Sequence, residues 1–354
     1  MAYTTIDDPT QLFNTIVWTG SGNSSARSFT GVGFQPDWVW YKCRSDTYNH
    51  NFVDVVRGTG LNSEICSNKT SAEGGGDSST HGYLSSFDAD GFSSANGSSN
   101  NLEFNQNTDT FVAWNWKAGG SASSNSDGTI TSNVSVNTTA GISIVSYTGN
   151  GTTNATVGHG LGVTPEQIWF KRRDSSNNWI NYDKTVGTGH YLTLNLNGAK
   201  DSASGAWCTP GSSTFQLNQV FTATNANSAT YIAYCFASVQ GYSKIGKYNG
   251  ASSTDGTFIY TGFKPAFFMA RATGRSENWY VFDTKRDGYN VDNDQLYPDT
   301  NGTEATTDYL DILSNGVKYR YNSVGLNGTG EEYIYMAFAE NPFVNSKGVP
   351  GNAR

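Results

Sequence analysis

The sequence predicts an all-β protein built from three tandem β-sandwich domains, jelly-roll-like and each of roughly 100 residues. Glycine (40), tyrosine (20), phenylalanine (19) and tryptophan (9) are abundant, whereas charged residues make up only 15%. Short aromatic and β-branched runs alternate with stretches rich in Gly, Ser, Thr and Asn, as is typical of short strands joined by frequent turns. No window carries apolar residues at helical spacing over three turns, so helices are not expected.

A phrase of glycine, proline, aromatic and basic residues occurs three times: GVGFQPDWVWYK at 31–42, GLGVTPEQIWFK at 160–171 and YTGFKPAFFMAR at 260–271. Its prolines are Pro36, Pro165 and Pro265. A basic residue follows each proline by six positions: Lys42, Lys171 and Arg271. An aspartate follows each proline by eighteen positions: Asp54, Asp183 and Asp283. Constant spacing of this kind indicates an internal repeat of one structural unit.

Each copy contains the elements of a sandwich in the same order. It opens with a strand and a glycine turn, and proline then fits the first residue of a second strand, where no ladder hydrogen bond is lost. Asp90-Gly91 and Asn315-Gly316 favour hairpin turns. Each copy ends on a strand with aromatic and small residues: TFVAWNW at 110–116, TYIAYCFA at 230–237 and EYIYMAFA at 332–339. Core packing explains Trp38 and Trp40 more simply than an exposed platform for a saccharide.

The repeat divides the chain into three domains. We expect repeats at 1–117, 142–240 and 241–340, a flexible Gly/Ser-rich linker at 118–141 with a short strand pair toward its end, and a C-terminal arm at 341–354. Almost no linker separates the second repeat from the third. These two domains should therefore pack rigidly against each other.

The paired basic residue and aspartate of each copy predict a cross-strand ion pair on the sheet surface. A catalytic role is disfavoured, because glycosidases need two carboxylates at a set separation. Candidate pairs such as Asp88 with Asp90, or Asp292 with Asp294, occur in one copy only. The four cysteines have no metal-ligand spacing and no loop matches a calcium-binding motif, so we expect no catalytic residue, metal or cofactor.

The overall charge and the absence of long apolar runs limit the kinds of partner that the protein can bind. The formal net charge is -8 and the longest basic run is KRR at 171–173, which excludes a surface that follows nucleic-acid phosphates. The first residues lack the features of a signal peptide, and the longest apolar runs are too short to span a membrane. We expect a soluble protein that binds neither nucleic acid nor membrane.

Longer phrases point to a family. FTGVGFQPDWVWYKCRS at 29–45, DTFVAWNWKAGG at 109–120, YIAYCFASVQGYSKIGKYNG at 231–250 and YIYMAFAENPF at 333–343 resemble an uncharacterised domain family of marine bacteriophages. The resemblance implies a virion structural or tail-fibre-like protein, assembled in the host cytoplasm. It supplies no catalytic or binding residues.

The resulting hypothesis is a non-enzymatic virion protein on the particle surface, of the tail-fibre or receptor-binding type. It would contact other virion proteins, form a homo-oligomer and meet a host polysaccharide or receptor. Two alternatives remain open, a capsid decoration protein and a polysaccharide-binding or depolymerase protein. An attachment appendage should carry exposed aromatic residues on loops of one unit and form a trimer, whereas a decoration protein should match the number of capsid positions and dock through one terminal arm. Functional differences should lie in the loops at 61–82, 197–214 and 287–308.

Overall fold

The computed structural model describes residues 3–22, 26–286 and 289–351, and these form an all-β sandwich protein with antiparallel sheets. Six sheets form three consecutive pairs along the chain. We call the sheet pairs of strands β1–β8, β9–β19 and β20–β27 the first, second and third units. Within each unit, the sheet that carries the repeated phrase is the inner sheet, and its partner is the outer sheet.

The first unit has a five-stranded inner sheet, in the order β1-β8-β3-β4-β5, and an outer sheet in the order β2-β7-β6. Short helical segments occur at Pro9–Gln11, α1 (Ser78–His81) and α2 (Leu102–Asn105). The strands are β1 (Phe13–Thr19), β2 (Arg27–Thr30), β3 (Trp38–Cys43), β4 (Asn51–Asp54), β5 (Ile65–Cys66), β6 (Tyr83–Asp88), β7 (Gly91–Ala95) and β8 (Thr110–Trp116).

The second unit has an eight-stranded inner sheet, β16-β15-β14-β13-β19-β11-β10-β9, and an outer sheet, β12-β18-β17. The first strands of the inner sheet come from the segment that composition predicts to be a linker, where Val134 pairs with Val145 and buries its side chain. The strands are β9 (Ser123–Asn125), β10 (Ser132–Asn137), β11 (Ile142–Thr148), β12 (Ala155–Gly158), β13 (Gln167–Arg172), β14 (Ile180–Asp183), β15 (His190–Thr193), β16 (Asp201–Ser202), β17 (Cys208–Pro210), β18 (Thr214–Leu217) and β19 (Thr230–Phe236).

The third unit pairs two four-stranded sheets, the inner one in the order β20-β27-β22-β23 and the outer one in the order β21-β26-β25-β24. One short helix, α3, spans Val324–Asn327. The strands are β20 (Ser243–Asn249), β21 (Phe258–Tyr260), β22 (Phe263–Ala272), β23 (Tyr280–Asp283), β24 (Asp292–Gln295), β25 (Ala305–Leu313), β26 (Gly316–Tyr319) and β27 (Glu332–Pro342).

The three inner sheets bury both of their faces. On β3, Val39 and Tyr41 point into a core between the two sheets of the first unit, whereas Trp38 and Trp40 point into a central core shared by all three units. Trp38 stacks on Tyr234 of the second unit with ring centroids 4.8 Å apart. Burial of one such indole contributes about 4–6 kcal/mol before entropy is counted. The core interpretation of Trp38 and Trp40 is therefore confirmed, and neither ring can stack on a saccharide.

Backbone hydrogen bonds join the units in a closed ring. The residue eight positions after each repeated proline accepts a bond from a loop of another unit. These N–H···O bonds run from Glu73 to Arg173 (2.9 Å), from Lys200 to Thr273 (2.9 Å) and from Glu304 to Arg44 (2.7 Å). The first unit thus contacts the second, the second the third, and the third the first. A shared core and a ring of contacts make the three units one packed body.

The two ends of the chain meet on the third unit. Thr4 donates a hydrogen bond to the carbonyl of Gln240 (2.8 Å), and the Asp7 carboxylate accepts from the backbone N–H of Ser346 (2.7 Å). The strand β27 continues as far as Pro342, and Val344 forms a bridge with Pro350. The described part of the C-terminal segment therefore packs against the body of the protein, where the sequence predicts an extended arm.

Candidate functional site

The repeated prolines lie where the sequence indicates, at the entry to the inner strands. Pro36 and Pro165 are buried two residues before β3 and β13. Pro265 lies inside the longer strand β22, at a position where the register with β27 shifts. Such an irregularity accommodates a residue that has no N–H to donate to the ladder.

The predicted surface ion pairs between the repeated basic residue and aspartate are wrong. In the register of the hairpins, each aspartate lies opposite the residue two positions after the proline: Trp38 with Asp54, Gln167 with Asp183 and Phe267 with Asp283. The basic residue is four positions further along the strand. Cross-strand contact requires residues that are directly or diagonally opposite, so these charges cannot meet.

The three repeated basic residues are instead buried and bind backbone carbonyl groups. Lys42 donates to Asp46 (2.8 Å) and Lys171 to Thr70 of the first unit (3.1 Å). Arg271 donates to Thr193 of the second unit (2.7 Å). Burial lowers the pKa of both lysines to about 8 and that of the arginine to about 10. These side chains hold turns and neighbouring loops in place.

The repeated aspartates cap the turns that follow their strands. Asp54 accepts from the N–H groups of the second and third residues after it, and Asp183 and Asp283 do the same. The other carboxylate oxygen of Asp54 accepts from the Tyr234 hydroxyl (2.7 Å), and that of Asp283 accepts from the Trp114 indole N–H (2.9 Å). Both donors belong to another unit, so the aspartates join units as well as capping turns.

Two arginines that the sequence reasoning missed complete these junctions. Arg57 and Arg286 follow Asp54 and Asp283 by three residues, and each forms a fully buried ion pair with its aspartate. Burial opposes ionisation of Asp283, but the charge and hydrogen bonds of Arg286 outweigh it and lower the pKa of this carboxyl. The sequence signal that could have revealed these ion pairs is an arginine three residues after the repeated aspartate in two of the three copies. The nine repeated residues are therefore structural.

An open cleft at the junction of the second and third units has a different character. We call it the junction cleft, and its volume is about 470 Å³. Its side chains come from three places: the ends of β13 and β14, the connection from β19 to β20, and the N-terminal segment beside β21. The side chains that line it include Tyr3, Glu166, Lys184, Ser238, Gln240, Lys244 and Tyr260.

The charges of the junction cleft are unevenly paired. Glu166 forms an ion pair with Lys184 (2.6 Å) and also accepts from the Ser238 hydroxyl. Lys244 donates to the carbonyl of Tyr260 (2.7 Å), and its Nζ lies 5.2 Å from the centroid of that ring. No carboxylate of the described residues lies within ion-pair distance of Lys244. Burial, followed by the charge of Lys184, lowers the pKa of Lys244.

Two tyrosines meet at one side of the junction cleft. The Tyr3 hydroxyl donates to the carbonyl of Gly262 (2.7 Å) and lies 3.3 Å from the Tyr260 hydroxyl. Burial and the hydrogen bond with Tyr260 raise the pKa of Tyr3 to about 12, so the phenol is neutral. Tyr260 is 46% exposed. The cleft is thus bordered by two phenol groups and by the side chain of Lys244.

An equivalent cleft lies between the first and second units. Its volume is about 490 Å³, and Asp37 occupies the position of Glu166, directly after the repeated proline. It is lined by Gln35, Asp37, Lys117, Ala118, Gly119, Gly120, Val136, Asn137 and Thr138. No aromatic side chain lines this second cleft. The repeat therefore creates a cleft at two junctions, and only the junction cleft carries tyrosines.

Exposed aromatic side chains are confined to the third unit. Among the described residues, Phe258, Tyr260, Tyr289 and Tyr321 are the aromatic side chains that are at least 43% exposed. Phe258 and Tyr260 alternate with the buried Ile259 and so share one face of β21, an edge strand of the outer sheet. Residues 287 and 288 of the loop that the sequence marks as variable lie outside the described residues.

The described part of the chain holds neither a cluster of metal-ligating side chains nor a membrane-spanning helix. No three or more His, Cys, Asp and Glu side chains there form a group that could hold a metal ion. No helix in residues 3–22, 26–286 and 289–351 has the length and apolar character needed to cross a bilayer. All four cysteines are buried and unbridged.

These features define an all-β protein whose three sheet pairs surround a common aromatic core and leave a cleft lined by Tyr3 and Tyr260 at the junction of the second and third units. The chain belongs to the family described as a domain of unknown function, DUF7483, which matches residues 8–342. No curated protein and no solved structure matches the chain.

Proposed function

We propose that this chain is a bacteriophage virion protein, displayed on the particle surface as part of a tail-fibre or receptor-binding appendage. The observation that carries the proposal is the confinement of exposed aromatic side chains to the third unit, where Tyr260 also lines the junction cleft. Aromatic residues are enriched where proteins bind other molecules, because they bury a large area at a low entropic cost. The assignment to a phage virion comes from the resemblance of the sequence to a marine bacteriophage protein family.

The rest of the body suits a scaffold that presents such a surface. Its units share one core and close into a ring, so the position of the third unit is fixed relative to the other two. The net charge of -8 favours solubility at the high local concentration of a particle. A capsid decoration protein that docks through a terminal arm fits less well, because the described C-terminal segment packs on its own protein.

Gold-labelled antibodies against the full chain, imaged on intact virions by electron microscopy, test the proposal. We expect label on the tail or its fibres. Label on the head would favour the decoration protein instead. Virions that bind no label, from lysates that contain the protein, would overturn both placements. Soluble protein added in excess should also delay adsorption of the phage to its host.

A further inference from the structure

We propose that the junction cleft binds an anionic saccharide, one that carries carboxylate or sulfate groups. The inference deepens the proposed function and depends on it, because an attachment protein needs a ligand on the host surface. The volume of the junction cleft, about 470 Å³, lies within the range of about 300–1,000 Å³ that is usual for small-ligand sites.

The charge of the junction cleft favours an anion. Its charged side chains are Glu166, Lys184 and Lys244, so two positive charges face one negative charge. Glu166 and Lys184 neutralise each other at 2.6 Å, which leaves the ammonium of Lys244 as the net charge. This ammonium is half-buried in a protein whose net charge is -8. Glu166 favours the charged form of Lys244 only from beyond ion-pair distance, so an anionic group of a ligand would supply the direct counter-ion that no described carboxylate provides.

The aromatic rings favour a sugar over a simple anion. Tyr260 is 46% exposed, the Lys244 ammonium lies 5.2 Å from the centroid of its ring, and its partner across the strand pair is Gly316, which has no side chain to cover it. The C–H face of a pyranose is apolar and packs on such a ring, while its hydroxyl groups reach polar neighbours. Gln240 and Ser238 line the same cleft and offer polar groups of this kind. Phe258 extends the exposed aromatic face along β21.

The second cleft shows what the fold alone provides. It has nearly the same volume and an acidic residue at the same place, but no aromatic side chain lines it. Its Lys117 lies 6.0 Å from the ring of Phe34, a residue that does not line the cleft. The tyrosines are therefore an addition to the junction cleft, not a consequence of the repeat. The second cleft serves as an internal control for the binding assay.

Isothermal titration calorimetry on the full chain tests the inference with three probes: alginate oligosaccharides, dextran sulfate and neutral dextran of matched length. We expect at least one anionic probe to bind ten times more tightly than dextran, with an affinity that falls as salt rises. Tyr260→Ala and Lys244→Met should each weaken binding about tenfold, the effect of a single contact of ~1.4 kcal/mol. Tyr260→Phe keeps the ring and should bind within about threefold of the unchanged protein.

Two matched controls separate the site from general effects. Tyr321→Ala removes a tyrosine of similar exposure (44%) outside the cleft, and Lys117→Met removes a lysine of the second cleft. Both should leave affinity unchanged, and thermal unfolding of every variant verifies its folding. Equal binding of dextran and the anionic probes, no binding of any probe, or full affinity in Tyr260→Ala and Lys244→Met would overturn the inference.

The two proposals fail in different ways. Gold label on the tail with no saccharide binding refutes the cleft ligand and leaves the appendage standing. If the protein binds the saccharide but the gold label lies on the head, the appendage proposal is refuted, while the proposal that the cleft binds a saccharide stands.

Discussion

Replacement of the buried Glu103 should remove a large pH dependence from the stability of this protein. Glu103 is 1% exposed in the first unit, and its Oε2 accepts from the hydroxyl of Tyr41 (3.2 Å) and the amide of Asn51 (3.1 Å). Its Oε1 has no hydrogen-bond partner in the described part of the chain. Burial, followed by the charges of Glu64 and Asp77, raises the pKa of Glu103 to about 8.

The direction of the effect follows from the two protonation states. In the unfolded chain the carboxyl ionises near its ordinary pKa of 4.5, whereas in the folded chain it keeps its proton up to about pH 8. The stabilisation is complete below pH 4.5 and is lost as pH rises toward 8. At about 1.4 kcal/mol per pH unit, the free energy of unfolding falls by up to ~5 kcal/mol across this window.

Urea unfolding of the unchanged protein and of Glu103→Gln between pH 5 and pH 9 measures the effect. Glutamine keeps an oxygen for Tyr41 and Asn51 and places an uncharged NH₂ where the acid holds its proton. The variant should therefore match the unchanged protein near pH 5 and exceed it by several kcal/mol at pH 9. Titrating groups that Glu103 does not reach cancel in the difference, whereas Lys42, whose pKa the charge of Glu103 raises, adds a smaller contribution near pH 8. Parallel stability curves over the whole range would refute the reasoning.

Three further results are expected. Thermal unfolding followed by calorimetry should show one cooperative transition, because the three units share a core. Trp116→Ala should lower the midpoint of this transition without splitting it, because the lost indole costs about 3–5 kcal/mol of stability. Arg286→Met leaves the buried carboxylate of Asp283 without its cation, while Glu304 keeps its ion pair with Arg44, so urea titration should show a loss of about 3–5 kcal/mol. The four buried thiols should resist a thiol reagent at pH 8 until urea unfolds the chain, as followed by absorbance.

The fold class could be predicted because the same short strand and turn patterns recur at constant spacing in each repeat. Glycine, proline and aromatic residues at constant offsets mark the inner strands, and the hairpins expected around Asp90 and Asn315 are confirmed. Alternation along a strand shows that one face is apolar, but here both faces are apolar, as Trp38 and Val39 illustrate. A fully buried strand indicates a second layer without indicating where that layer comes from. For this reason, the sequence could not reveal that the second layer on the inner sheets comes from the other two units.

The candidate site was beyond sequence reasoning. The junction cleft joins Tyr3, Glu166 and Tyr260, residues that are far apart in the chain and meet because the N-terminal segment crosses the third unit. The error over the repeated charges has another cause. A separation of twelve residues across a hairpin does not fix the register, which depends on the length of the turn. The register observed here places Asp54 opposite Trp38, four residues from Lys42.

The second unit departs from the other two at the repeated aspartate. Asp54 and Asp283 each have a buried arginine and a donor from another unit, whereas Asp183 has neither. The residue three positions after Asp183 is Val186, and the Gln167 side chain donates a hydrogen bond to the Asp183 carboxyl (2.7 Å). In the other units the place of Gln167 is held by aromatic residues.

These differences depend on one another physically. The donors Tyr234 and Trp114 each lie two residues before the aromatic that pairs with the second residue after the repeated proline. In the third unit that position is Met336, whose thioether has no proton to donate. Without such a donor and without an arginine, burial raises the pKa of Asp183. Gln167, which is present only in the copy without the arginine, donates to the Asp183 carboxyl through a neutral amide (2.7 Å) and so supplies the hydrogen bond that Tyr234 and Trp114 supply to the other two aspartates.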